Sequence, residues 1–227
     1  MKLINFTNRQ HQCEALSQQL ACDLRHHLEK QETVTLCLAG GSTPAAVYDA
    51  LSYCDLEWNR VQVVMSDERW VPPSDPQSNE AMLIARLRKN RARNITIVPF
   101  FLPGMSIADA VTNHNQTMAD WMPLDICLLG MGTDAHFASL FPDVDNLDQA
   151  LDETEQPAVI AIDSPSQPVQ RISLNFSAIF GEESRYLMIT GPEKKSVIET
   201  AAKKMHQRLP ISHLLAKCPT LSVYYSE

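Results

Sequence analysis

Apolar residues recur along this chain in two rhythms. Over residues 8–30, Ala15, Leu16, Leu20, Leu24 and Leu28 fall at the spacing of one buried helix face. Val34–Leu38 and Val61–Met65 are instead short, β-rich apolar runs, and residues 126–129 form a third. Such runs suit parallel strands covered on both faces. Further strands are predicted at 3–7 (an edge strand), 94–98, 158–162, 171–175, 186–190 and 220–225. Helices are predicted over 44–53, 79–90, 106–121, 192–205 and 209–215. Ser106 caps one of these helices, and Pro44 and Pro192 stand where two others begin. The acidic stretch 146–157 reads as a surface connection. Strands alternate with helices, and several strand-to-helix junctions carry glycine, which predicts an α/β doubly wound, mostly parallel sheet with helices on both faces. No repeat or linker divides the chain, so one domain over residues 1–227 is expected.

Composition narrows this picture only slightly. The 227 residues are enough for a sizeable core, and the formal net charge of -8 argues against a nucleic-acid or anionic-membrane partner. One small anion needs only local positive charge and is not excluded. No apolar run approaches the ~20 residues of a membrane span, and the first residues carry no signal-peptide pattern. The six cysteines, at 13, 22, 37, 54, 127 and 218, form no CxxC pair and have no zinc spacing. They are expected to be reduced structural thiols in a cytoplasmic protein, with no metal.

Four junctions carry candidate chemistry. Gly40-Gly41-Ser42-Thr43-Pro44 bares backbone N–H groups and places two hydroxyls at a helix start, where negative charge is favoured. It reads equally as a phosphate cradle or as a tight turn with a capping Ser42 or Thr43. It is not a Walker A loop, because the Gly-Lys-Ser/Thr ending is missing. Asp67-Glu68-Arg69-Trp70 follows a strand, and Arg69 can bind a phosphate or pair with a neighbouring acid. Gly191-Pro192-Glu193-Lys194-Lys195 sets two lysines at a helix start, an unfavourable place unless an anion binds there.

The fourth junction is the stretch after the strand at 126–129. Gly130 and Gly132 let the backbone turn and approach a ligand, and Asp134 and His136 follow at once. Gly130 to Ala135 matches the dinucleotide pattern, but Pro142 ends the expected short helix too early for that reading. Of the seven histidines, His136 alone sits on a glycine-rich strand-end loop, where a general base is placed naturally. Asp134 either orients the imidazole or caps the short helix.

Taken in order, these motifs resemble the 6-phosphogluconolactonases, within a superfamily that also holds the glucosamine-6-phosphate deaminase/isomerases. The matching pieces are Ala39 to Pro44, Ser66 to Pro72 with Ser78-Asn79, Leu128 to Pro142, Arg171-Ile172-Ser173-Leu174, and Thr190-Gly191 with Lys194. The resemblance implies a modified Rossmann-like fold without a nucleotide. It implies hydrolysis of 6-phosphoglucono-δ-lactone to 6-phosphogluconate in the oxidative pentose phosphate pathway, with no cofactor. By the same resemblance His136 activates water, with Asp134 beside it. Gly40, Gly41, Ser42, Thr43, Arg69 and Lys194 hold the phosphate, and Asp67, Gly130 and Gly132 lie on substrate-binding loops. The expected partner is a small sugar-phosphate lactone bound by a monomer or weak homodimer.

The family usually reads Asp-Gly-His-Thr-Ala-Ser where this chain has Asp134-Ala135-His136-Phe137-Ala138-Ser139. Ala135 then either strains a left-handed position or crowds the substrate, and Phe137 narrows the pocket. A deaminase/isomerase would carry an acid shortly after the histidine loop, and Ser139 to Pro142 has none. A catalytically weak sugar-phosphate sensor is the remaining alternative.

Overall fold

The computed structural model describes residues 1–181, 184–206 and 208–227. The chain opens with β1 (Lys2–Phe6) and the long helix α1 (Arg9–Leu28). Asn8 caps α1 by accepting from the His11 N–H, and Leu16, Leu20 and Leu24 are fully buried on its inner face. Next come β2 (Val34–Leu38), α2 (Ala45–Leu51), β3 (Val61–Met65), β4 (Asp67–Arg69), α3 (Asn79–Arg86), β5 (Thr96–Ile97) and α4 (Ile107–Thr117). The second half holds β6 (Ile126–Gly130), α5 (Leu147–Ala150), β7 (Val159–Ile162), β8 (Arg171–Leu174), α6 (Phe176–Ile179), β9 (Arg185–Thr190), α7 (Pro192–Ala201), α8 (Pro210–Lys217) and β10 (Ser222–Ser226).

Seven strands form one sheet in the order β1-β10-β9-β6-β2-β3-β5, and every pair in it is parallel. Every residue of β2 is buried, so side chains on both faces of the sheet are covered. That is why the central strands are largely apolar instead of strictly alternating. From β2 the chain runs outward through β3 to β5, and from β6 it runs the other way through β9 to β10. The reversal falls between β2 and β6, whose carboxyl ends therefore flank a crevice.

Three sequence expectations change here. The strands expected at 158–162 and 171–175 are not in the main sheet. As β7 and β8 they form an antiparallel hairpin that β4 joins, in the order β4-β8-β7. The chain crosses between the sheets at Ser66, whose N–H donates to Leu38 and whose carbonyl accepts from Leu174. The acidic connection at 146–157 contains α5, anchored because Leu147, Ala150 and Leu151 are buried. Ser42 and Thr43 do not cap α2. Pro44 occupies the cap position, no side chain closes it, and neither hydroxyl has a hydrogen-bond partner among the described residues. By contrast, Pro192 does begin α7, after Gly191 at φ +87°.

No helix of the described residues is long and apolar enough to cross a membrane. The cysteines are free thiols.

Candidate active site

The crevice is a cleft of about 350 Å³ at the carboxyl ends of the central strands. The loop after β2 supplies Gly40 to Pro44, and the loop after β6 supplies Gly132 and His136. Asp67 and Arg69 come from β4, and Lys194 from the first turn of α7. Four segments far apart in sequence thus meet, because β9, β6 and β2 are neighbours in the main sheet and β4 continues from the end of β3. Of the sequence-predicted site residues, only Asp134 does not line the cleft itself. It stands directly behind His136.

The cradle after β2 is held from outside. Tyr48 donates to the Ala39 carbonyl at 2.6 Å, and Arg9 on α1 donates to the Ser42 carbonyl at 2.8 Å. Among the described residues, the N–H groups of Gly40, Gly41, Ser42 and Thr43 donate to no protein acceptor. Gly41 has φ +90°, a conformation that L side chains rarely adopt. Gly40 is required for another reason, because a Cβ there would overlap the Asn79 side chain. Asn79 is fixed by donating from Nδ2 to the Asp67 carbonyl at 2.8 Å.

The loop after β6 is not helical. Residues 131–141 form turns with a single bridge between Phe137 and Leu140, so Asp134 has no helix to cap. Its Oδ1 instead lies 2.6 Å from His136 Nδ1. Burial tends to raise the Asp134 carboxyl, but the hydrogen bond and charge of His136 outweigh it and hold the group below the usual carboxylate range. An ionised Asp134 makes Nδ1 the donor and leaves Nε2 with its lone pair outward. The imidazole packs on Phe141 with ring centroids 4.3 Å apart.

Neither glycine of this loop is left-handed. That conformation falls on Ala135, at φ +71°, and Ala138, at φ +48°. Gly132 is needed because a Cβ would overlap Asp134 Oδ1 and the His136 ring, whereas a Cβ on Gly130 would touch nothing. Of the two expectations for Ala135, strain is the one the geometry bears out. Its methyl is buried away from the cleft, so it does not crowd a ligand. The left-handed backbone is locked by the Ala135 N–H donating to the Gly132 carbonyl and by Ile211, at the start of α8, donating to the Ala135 carbonyl. Phe137 does not narrow the pocket. It is fully buried against Phe176, with ring centroids 6.1 Å apart.

Arginine chemistry in the cleft exceeds what the sequence disclosed. Arg171, at the start of β8, lines the cleft beside Arg69. Burial and then the charge of Arg69 lower its proton affinity, while Asp67 and Glu68 act against that. The Nε atoms of Arg69 and Arg171 are both buried and have no hydrogen-bond partner. Two like charges with unspent donors favour an anion between them. Arg171 appeared in sequence only as one letter of a strand motif. Its one signal was an arginine opening a short strand, Arg171-Ile172-Ser173-Leu174.

Asp67 is largely buried and spanned by hydroxyls, accepting from Ser139 Oγ at 2.5 Å and Ser66 Oγ at 3.1 Å. It therefore ties β4 to the His136 loop. Lys194 lines the same cleft as His136; burial lowers its proton affinity, and the Asp134 charge acts against that. Its neighbour Lys195 turns away and lies 5.0 Å from the Tyr225 ring centroid.

Glu68 shapes the site from behind. Its fully buried carboxylate accepts from the N–H groups of Arg69, Asn79 and Glu80 and from Ser78 Oγ. Burial pushes the carboxyl up, and these four donors push it back. Glu68→Ala leaves all four unpaired and is expected to lower stability by about 3 kcal/mol, read from urea unfolding midpoints. A loss below about 1 kcal/mol would show that water replaces the carboxylate.

The fold and cleft define an α/β protein with a cation-lined cleft at the switch point of a parallel sheet. The chain belongs to the family of glucosamine-6-phosphate isomerases and 6-phosphogluconolactonases, whose model matches residues 7–222. It is 33% identical over 224 residues to a 6-phosphogluconolactonase of Rhizobium meliloti, covering 97% of each chain. The crystal structure of a putative 6-phosphogluconolactonase from Neisseria gonorrhoeae superposes with a TM-score of 0.91 at 30% identity, over 100% of both chains. A 6-phosphogluconolactonase structure from Shewanella baltica gives 0.93 at 29% identity, covering 100% of this chain and 98% of the other.

Proposed function

We propose that this chain hydrolyses 6-phosphoglucono-δ-lactone to 6-phosphogluconate, as a step of the oxidative pentose phosphate pathway. One observation carries the reading. His136, oriented by Asp134 at 2.6 Å, shares a cleft with two arginines whose buried Nε atoms lack partners. The 6-phosphate is held by the N–H groups of Gly40 to Thr43 and by Arg69, with Arg171 and Lys194 adding positive charge. The lactone carbonyl then lies toward the loop from Gly130 to His136.

Neutral His136 takes a proton from water at Nε2 as the water oxygen attacks carbon one. Charge developing on the carbonyl oxygen is stabilised by backbone N–H groups of the loop after β6. The tetrahedral intermediate collapses with cleavage of the carbon–oxygen ring bond, and the imidazolium returns its proton to the departing ring oxygen. Asp134 holds the ring and stabilises the transient imidazolium. No covalent enzyme intermediate is involved.

The deaminase reading requires several proton-transfer groups. Among the described residues, Asp67 is the one carboxylate lining the cleft, and Ser139 and Ser66 already occupy its oxygens. A stopped-flow lactonase assay, corrected for spontaneous opening, tests the proposal directly. Ammonia release from glucosamine 6-phosphate with no lactone turnover would replace it with the alternative.

Asp134→Asn retains the shape but removes the charge that selects the Nδ1–H tautomer. Its kcat is expected to fall about 10- to 100-fold with KM nearly unchanged. An unchanged kcat would show that Asp134 only shapes the loop.

A further inference from the structure

We infer that Gln167 is a positioning residue for the anion site, and that it acts by aiming Arg171. This rests on the reading that Arg171 holds the substrate phosphate. Gln167 lies in the connection between β7 and β8 and lines the cleft. Its Oε1 accepts from Arg171 Nη2 at 2.7 Å. With Nη2 so fixed and Nη1 4.0 Å from Asp67 Oδ2, the guanidinium plane is set from two sides while its buried Nε stays unpartnered. A planar fork grips an oxyanion well only when its plane is fixed beforehand.

The connection carrying Gln167 is itself fastened to the His136 loop. Asp143, the residue after Pro142, accepts from Ser164 Oγ at 2.8 Å and from the Ser166 N–H at 3.0 Å. Ser164 is buried, and its carbonyl accepts the Gln167 N–H at 2.9 Å, closing the turn. A continuous set of hydrogen bonds therefore runs from the end of the catalytic loop through Asp143 and Ser164 to Gln167 and Arg171. It keeps the phosphate end of the cleft in register with the base. Glutamine suits this position because it accepts from the guanidinium without neutralising it. A glutamate would compete with the ligand for the same positive charge.

The test compares wild type, Gln167→Ala, Asp143→Ala and the double variant. Gln167→Ala is expected to raise KM for 6-phosphogluconolactone about 5- to 10-fold, with kcat within about twofold. The Kd for inorganic phosphate, measured by calorimetry, should weaken by the same factor. Asp143→Ala should raise both constants about threefold, and the double variant should be no weaker than Gln167→Ala alone, because both act through one guanidinium. Unchanged KM and phosphate affinity in Gln167→Ala overturn the inference. So does a fall in kcat with phosphate affinity intact, or multiplicative losses in the double variant. A wild type that binds phosphate with this Gln167 dependence but opens no lactone would retain the inference and overturn the lactonase reading. A wild type that binds no phosphate would overturn the inference.

Discussion

His136→Ala is expected to lower kcat for 6-phosphogluconolactone about 1,000-fold while leaving the Kd for 6-phosphogluconate within about threefold. The imidazole is the one group on the loop after β6 with a free lone pair at a ring nitrogen and a carboxylate fixing the other. Its removal takes away the proton acceptor without touching Arg69, Arg171 or the cradle, which lie after other strands. The fold should tolerate the change, because the ring is partly exposed and its main packing partner, Phe141, is held in the core. Asp134 is itself partly exposed and remains solvated once its partner is gone. A variant turning over at near-normal rate after correction for spontaneous hydrolysis would sink the assignment. Equal loss of turnover and product binding would instead make His136 a structural residue.

Gly132→Ala should cost about 100-fold in kcat with little change in KM, although residue 132 performs no chemistry. A methyl at this position would overlap both Asp134 Oδ1 and the His136 ring, so the pair must separate or the loop must move. Either response shifts Nε2 from its place above the cleft, and a displacement near 1 Å is enough for such a loss. Gly130→Ala is the control. Its Cβ would meet no protein atom within 4 Å and its φ is not left-handed, so the Asp134–His136 pair should stay intact, and because residue 130 lines the cleft any cost of the methyl should fall on KM. Similar kcat losses in the two variants would show that general loop flexibility matters. A drop confined to Gly132→Ala would locate the effect in the space beneath the dyad.

These two glycines show how unevenly the site was legible. The sequence marked Gly130 and Gly132 as turn-forming, yet the left-handed turns fall on Ala135 and Ala138. Glycine spacing reports that a Cβ is absent but not which of two reasons excludes it, backbone angle or a neighbouring atom. The neighbours at Gly132 are side chains two and four residues away and can be seen only once the loop has folded back. Similarly, Phe137 looked like a pocket residue because it stands where the family pattern has a hydroxyl. The turn after His136 sends it into the core against Phe176.

The sequence by itself determined the alternation of apolar strands and amphipathic helices, and hence the parallel sheet. Burial on both faces leaves a local mark that needs no partner to read. It also marked the strand-end loops as the candidate site, because glycine, hydroxyl and histidine clusters at those junctions are local chemistry. Tertiary structure alone decided strand order, the separate β4-β8-β7 sheet, and the convergence of Arg171 and Gln167 on Arg69. Pairing between strands about 100 residues apart depends on which surfaces meet across the fold, and a one-dimensional pattern carries no record of that. The aim of Arg171 is set the same way, by Asp67 on one strand and Gln167 on a distant loop.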